Sequence, residues 1–225
     1  MLHSRLPRYG ASSVESFTSP SPRVAALCRH SAHGAHGRGW EDRGGPIVIA
    51  YPTGQEPDLW DPNPGQSGYR FALGNAALAT SKNPPLIAIC MNPSHAREDQ
   101  SDKTINRLIQ ASEELGYAGW IMLNLYPERS PKPSTLSAFD PALSAANKFA
   151  ITQVLARFET TEVLGAWGNL THATLRQAKL DVLPILAGLG VRVFTFDPPT
   201  KEGNPRHPSP QGRYLPMHGP KVYLA

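Results

Sequence analysis

The stretch IAICMNPSHA, Ile87 to Ala96, decides the fold. Together with Leu86, its first half is a continuous apolar run about one strand long. A strand without polar alternation is covered on both faces, as in a parallel sheet between two layers of helices. The run stops at Asn92-Pro93-Ser94, where proline cannot donate to a ladder. In open parallel sheets, ligands bind outside the carboxyl ends of the strands. A polar triplet at such an end is therefore either a plain turn or part of a site.

The pattern repeats along the chain. GWIMLNLY (119–126) is a second apolar strand closed by Asn124 and Pro127, EVLGAWG (162–168) a third, and VRVFTF (191–196) a fourth. Helices are expected between them. The first follows Ser101 and Asp102, either of which can cap it, places Ile105, Leu108, Ile109 and Leu115 on one face, and ends at Gly116. The others span Pro141–Phe158 and His172–Leu186. Gly188-x-Gly190 is then a helix-to-strand turn, not a nucleotide fingerprint. Upstream, PIVIAYP and SGYRFALG (67–74) are short β-like runs, the second alternating Tyr69, Phe71 and Leu73 with Arg70 and Ala72. The expected fold is α/β: a three-layer α/β/α sandwich whose central, mainly parallel four-stranded sheet gains one or two antiparallel edge strands from residues 46–74.

Residues 1–45 differ in texture. They are rich in Ser, Pro, Gly, Arg and His without sustained periodicity and read as a disordered segment, leaving 46–225 as a single α/β domain. A transit peptide and a misassigned start codon are the alternatives for this segment. His30, His33 and His36 in it have no carboxylate or cysteine framework to make a metal site. The formal charge of the 225-residue chain is +4. Residues 1–45 hold six Arg against three acidic residues, leaving 16 basic and 15 acidic residues over 46–225. The domain is near neutral, so bulk charge does not predict a polyanion partner. The two cysteines, Cys28 and Cys90, give neither a disulfide framework nor a metal spacing. With no membrane-length apolar stretch and no secretory signal, the expected location is cytoplasmic, with no membrane partner, and Asn169-Leu170-Thr171 is a glycosylation triplet without its compartment. No cofactor is expected, there being no Walker loop and no zinc-type Cys/His set.

The polar residues at the strand ends are the candidate site. Asn92 either satisfies backbone groups at its strand end or orients a ligand; Ser94 either caps a turn or belongs to an anion-holding segment. Asp99 and Asp102 are the carboxylates nearest in sequence, read as a loop acid and a helix cap, with Asp102 a reserve base. Asn124 closes the second strand. Trp167, before Gly168, either walls a pocket and stacks on a base or plugs the core. Arg70 faces solvent, pairs with an acid or reaches a phosphate. Arg206 and His207 stand in a rigid proline frame, in a tail with seven prolines after Asp197.

Taken together, Tyr69-Arg70-Phe71-Ala72-Leu73, Met91-Asn92-Pro93-Ser94-His95-Ala96, Asp102, Thr104, Ala166-Trp167-Gly168 and Arg206-His207-Pro208 resemble the DUF1643 family, whose function is unassigned, over about residues 67–215. More distantly, Asn92-Pro93-Ser94 after the first core strand and His207-Pro208-Ser209-Pro210 near the end are similar in order and place to two motifs of the uracil-DNA glycosylase superfamily. That resemblance implies a parallel α/β sandwich and a pocket for a flipped base. In it Asn92 positions or activates water, His207 stabilises charge on the departing base, and the Ser209 segment touches the nucleic-acid backbone. The chain departs from the pattern with Asn rather than Asp at 92, Cys at 90 and Ser at 94. The expected partners are a nucleobase, a nucleotide or single-stranded nucleic acid, with Pro93, Ser94, Asn124, Trp167, Gly168, Arg70, Arg206 and Ser209 as binding residues. The expected chemistry is hydrolysis of an N-glycosidic bond. The alternative is a binding module that keeps the pocket without the chemistry. The oligomeric state is left open.

Overall fold

Strand β3 (Leu86–Cys90) is the centre of the molecule, and its side chains alternate between two cores. Ile87 and Ile89 enter one core, while Leu86, Ala88 and Cys90 enter the other. The same two-residue period divides β4 (Trp120–Asn124), with Ile121 and Leu123 on the first side and Trp120 and Met122 on the second. Both strands are buried at every position, which explains their apolar runs without polar alternation. The structure, a computed structural model, describes residues 49–62, 68–209 and 217–224, all within one compact unit of the chain, Arg43–Ala225. The expectations for residues 1–45, including Cys28 and the three histidines, and for Pro210 lie outside the described residues.

Seven strands form one sheet in the order β1-β2-β4-β3-β5-β6-β7, completed by β1 (Leu59–Asp61), β2 (Ala72–Asn75), β5 (Glu162–Gly165), β6 (Arg192–Thr195) and β7 (Val222–Tyr223). The four central strands β4, β3, β5 and β6 run parallel, and β1, β2 and β7 are antiparallel additions. Helix α1 (Lys103–Glu114) covers one face through Ile105, Leu108 and Ile109. Helices α2 (Pro141–Arg157) and α3 (Ala173–Gly188) cover the other through Ile151, Val154, Leu155, Leu175, Val182 and Leu186. This is the expected α/β architecture, with four parallel strands between helical layers.

The helix starts follow capping chemistry. The Asp102 carboxylate accepts from Thr104 N (2.9 Å) and Ile105 N (3.0 Å), and that of Asp140 from Ala142 N (2.8 Å). Pro141 takes the first position of α2, where a missing N–H costs nothing. His172 caps α3, its Nδ1 accepting from Thr174 N at 3.3 Å.

Two local expectations are corrected, and the tail adds one short strand. Leu115 is the C-cap of α1 and 36% exposed rather than on the buried face, because the helix ends before it can turn inward. The 67–74 run does not alternate as expected. Tyr69 is 43% exposed, Arg70 only 1%, and Ala72 and Leu73 are both buried. The regular strand starts only at Ala72 and is covered on both faces, so no solvent face exists to receive Arg70. The tail after Asp197 contributes a strand, β7, which lies against β6 with Phe194 opposite Tyr223.

Among the described residues, no helix is long and apolar enough to cross a membrane. No group of three or more His, Cys, Asp or Glu side chains among them is placed to hold a metal ion.

Candidate functional site

The sheet order fixes where a site can form. From β3 the chain passes to β4 on one side, then crosses to β5 on the other, so the connections diverge between β3 and β5. Such a switch point leaves a crevice at the carboxyl ends of the strands. A cavity of about 960 Å³ lies there, lined by Met91, Asn92, Ser94 and His95 after β3, Ser130, Pro131 and Pro133 after β4, Gly168, Asn169 and Thr171 after β5, and His207 and Ser209 after β6. Arg70, Cys90, Met122, Asp102, Lys103 and Thr104 complete the lining.

Asn92 ties two of these loops together. Its Nδ2 donates to the carbonyl oxygens of Pro93 (3.0 Å) and Ser130 (2.9 Å), and Ser130 N donates back to Pro93 O at 2.9 Å. With both amide hydrogens committed to backbone, Oδ1 is left as an acceptor without a partner among the described residues. Pro93 is buried and outside the lining. Ser94 Oγ lies 2.9 Å from His95 Nδ1, both half-buried at the cavity wall.

His207 is held from two directions. Ser209 N donates to its Nδ1 at 3.1 Å, so that nitrogen carries a lone pair and the neutral ring bears its hydrogen on Nε2. Burial pushes its pKa below the ordinary histidine range, against the opposing charge of Asp102, which favours the neutral ring. Gly168 packs against it: its φ is +68°, and a Cβ there would stand 3.0 Å from His207 Cβ. Glycine alone gives both the left-handed backbone and this approach. Arg107, on α1, donates to the Pro208 carbonyl and anchors the segment from the other side.

Asp102 lines the cavity, but its Oδ1 carries the α1 cap. The thiol of Cys90 is buried at the cavity floor and pushed up to about 12, first by burial, which makes it an inert thiol. Asn124, opposite Cys90 in register and on the face of Met122, is wholly buried, and neither its Nδ2 nor its Oδ1 finds a partner among the described residues. It lies outside the cavity lining.

Two expected binding residues are placed elsewhere. Trp167 does not wall the cavity. It is fully buried in the core with α2 and α3, and its Nε1 donates to Asn204 Oδ1 at 3.2 Å. A bulky apolar ring at a strand end is pulled into the nearer hydrophobic layer. Arg206 is exposed and donates from Nε to Pro198 O at 3.3 Å; it is outside this lining and borders a separate void of about 20 Å³ that His207 also lines. The neighbour of a buried residue in extended chain points the opposite way.

The cavity also gathers Lys103, Thr104, Ser130, Asn169 and Thr171, which were not singled out as ligand contacts. The signal for them is position, since each stands within a few residues of a parallel strand's carboxyl end or of the α1 cap.

A family model described as "Protein of unknown function (DUF1643)" matches residues 70–209. No curated protein and no solved structure matches the chain. The matched span covers more than half of the chain, begins at Arg70 and ends at Ser209, and so contains every residue that lines the cavity. The chain belongs to the DUF1643 family.

Proposed function

We propose that the cavity binds a nucleobase-bearing ligand and that Asn92 and His207 support hydrolysis of its N-glycosidic bond. The observation that carries this is the pairing of an acceptor with a donor at one switch-point cavity: Asn92 Oδ1 is free because its amide hydrogens hold backbone, and His207 keeps its hydrogen on Nε2. Asn92 Oδ1 orients a water towards the sugar C1′. As the C1′–N bond breaks, its electron pair leaves with the base, and the Nε2–H stabilises that charge. The water adds to C1′ and its proton passes to the base, giving a free base and a sugar hemiacetal. The ordered resemblance of the two motifs to the uracil-DNA glycosylase superfamily supports the same assignment. We place this activity in the cytoplasm.

A second reading, binding without turnover, is favoured by one specific observation. The carboxylate at the cavity, Asp102, is engaged as a helix cap, and an amide at position 92 cannot take a proton. Base flipping from a duplex costs about a few kcal/mol, so free nucleotides and single strands are the preferred substrates in either case.

The test incubates the full chain with nucleosides, nucleotides and oligonucleotides carrying uracil or other altered bases, and measures free base. Release that disappears in Asn92→Ala and His207→Ala establishes the hydrolase. Binding without release selects the second reading, and neither binding nor release by folded protein overturns both.

A further inference from the structure

We infer that the ligand of this cavity carries a phosphate group and that Arg70 receives it. The inference rests on the nucleobase reading for the remainder of the ligand, while the anion site stands on observations of its own. Arg70 is 1% exposed and lines the cavity, yet no carboxylate is within ion-pair distance of it among the described residues. Its Nη1 donates to Ala96 O at 3.0 Å, and its buried Nε has no acceptor.

A second guanidinium crowds the same oxygen, with Arg129 Nη2 also 3.0 Å from Ala96 O. Both cations lie over the Trp60 ring, at 5.8 Å and 6.0 Å from its centroid. Two positive charges, one buried and one half-buried, thus share one neutral carbonyl, an arrangement that is unfavourable for the buried guanidinium without an anion. Burial, and then Arg129, hold the Arg70 guanidinium down to about 10. The nearby charge of Asp102 opposes this, but its Oδ1 is committed to the α1 cap.

The chemistry of the lining suits a phosphate. Lys103 adds a further cation at the wall, and Ser94, Thr104 and Thr171 add hydroxyl donors at different points of it. A phosphate presents several oxygens in different directions and can accept from a guanidinium edge and from separate donors at once. The phosphate belongs either to a free nucleotide or to the end of a strand.

The test uses the full chain in calorimetric titration and melting. The probes are nucleosides, their 5′-monophosphates, inorganic phosphate, and short oligonucleotides with and without a 5′-phosphate. The phosphorylated form is expected to bind about 10- to 100-fold more tightly than its unphosphorylated partner, the range for one charge-assisted contact. Inorganic phosphate is expected to raise the melting temperature and to compete. Arg70→Gln is expected to abolish the preference, its fold checked by melting because the substitution also removes the hydrogen bond to Ala96 O and the contact with Trp60. Arg70→Lys restores only part of the preference.

If Arg70→Gln does not fold, the wild-type comparison of phosphorylated with unphosphorylated ligands still decides. A preference confined to mononucleotides, or to phosphorylated strands, assigns the phosphate's source, and either supports the inference. Equal binding of both forms, with no phosphate competition, overturns it and leaves the nucleobase reading standing. Phosphate binding lost in Arg70→Gln, with no discrimination among bases or against simple phosphate esters, keeps the anion site and overturns the nucleobase reading. No binding by any probe overturns both.

Discussion

Arg107 and Pro208 are joined across 101 residues of sequence, the guanidinium of α1 donating to the carbonyl that follows His207. The first crossover helix thereby fixes the last loop of the site, a loop with no regular secondary structure of its own. A proline-rich segment has few N–H groups with which to hold itself, and an outside donor replaces them. Arg107→Met is expected to destabilise the protein by about 1.5–3 kcal/mol, the range for a hydrogen bond from a charged group. It should also speed amide exchange at His207 and Ser209 more than in the β3–β4 core. Uniform exchange changes would show that Arg107 only packs.

Asp102 offers a test of cap against base. Asp102→Ala should cost about 0.5–2 kcal/mol in stability through loss of the α1 cap. Asp102→Asn keeps a capping oxygen and should therefore retain both stability and any base release. Full stability with abolished release in Asp102→Asn would instead make Asp102 the base and remove Asn92 from that role.

Asn124 buries an amide with no partner for either atom among the described residues, which costs about 1–3 kcal/mol for an unmet polar group. Asn124→Val, apolar and only somewhat larger than the amide, removes both unmet groups and should raise stability by about 1–2 kcal/mol in denaturant unfolding of the ligand-free protein. A loss of stability of similar size would show that the amide is satisfied in solution.

The depressed pKa of His207 has a definite sign in stability. The unfolded chain takes up the proton near the ordinary value of about 6.5, while the folded protein resists it to lower pH. The contribution of His207 is therefore whole above about 6.5 and is lost as pH falls from there through the folded pKa, with a slope of at most about 1.4 kcal/mol per pH unit for one proton. His207→Gln should flatten the stability curve in that window, read as the difference between the two proteins so that other histidines cancel. Ligand binding should weaken over the same window, because a doubly protonated ring cannot accept from Ser209 N. Parallel curves for the two proteins would contradict the assignment.

The sheet was legible because its signal is local. Runs such as Leu86–Cys90 and Trp120–Asn124 carry no polar residue until the strand ends, and burial on both faces is the physical cause. The first helix start was legible from the carboxylate of Asp102 before its first turn, and the second was placed at Pro141, where the capping role of Asp140 came from the structure. The direction of side chains outside regular elements was not. Arg70 sits before β2 in irregular chain, where a two-residue period has no hold, and its burial follows from contacts with Trp60 and the 96–97 loop. Trp167, two residues past β5, and Arg206, in the long irregular segment after β6, lie away from the cavity lining for the same reason: no periodicity holds there, and tertiary packing chose each side. Asn92, Ser94, Gly168, His207 and Ser209 were found because a parallel sheet brings its carboxyl ends together whatever the intervening sequence. β7 has only two residues, too few for any periodic signal.

The most direct test of the cavity as a nucleobase site is amide chemical-shift mapping of the isotope-labelled full chain during titration with nucleosides and nucleotides. The account predicts saturable shifts concentrated at Asn92, Ser94, Gly168, Asn169, His207 and Ser209, and their loss when Asn92 and His207 are replaced by alanine in a protein that keeps its fold. Shifts confined to another surface, or none with any nucleobase-bearing ligand at millimolar concentration, would contradict it.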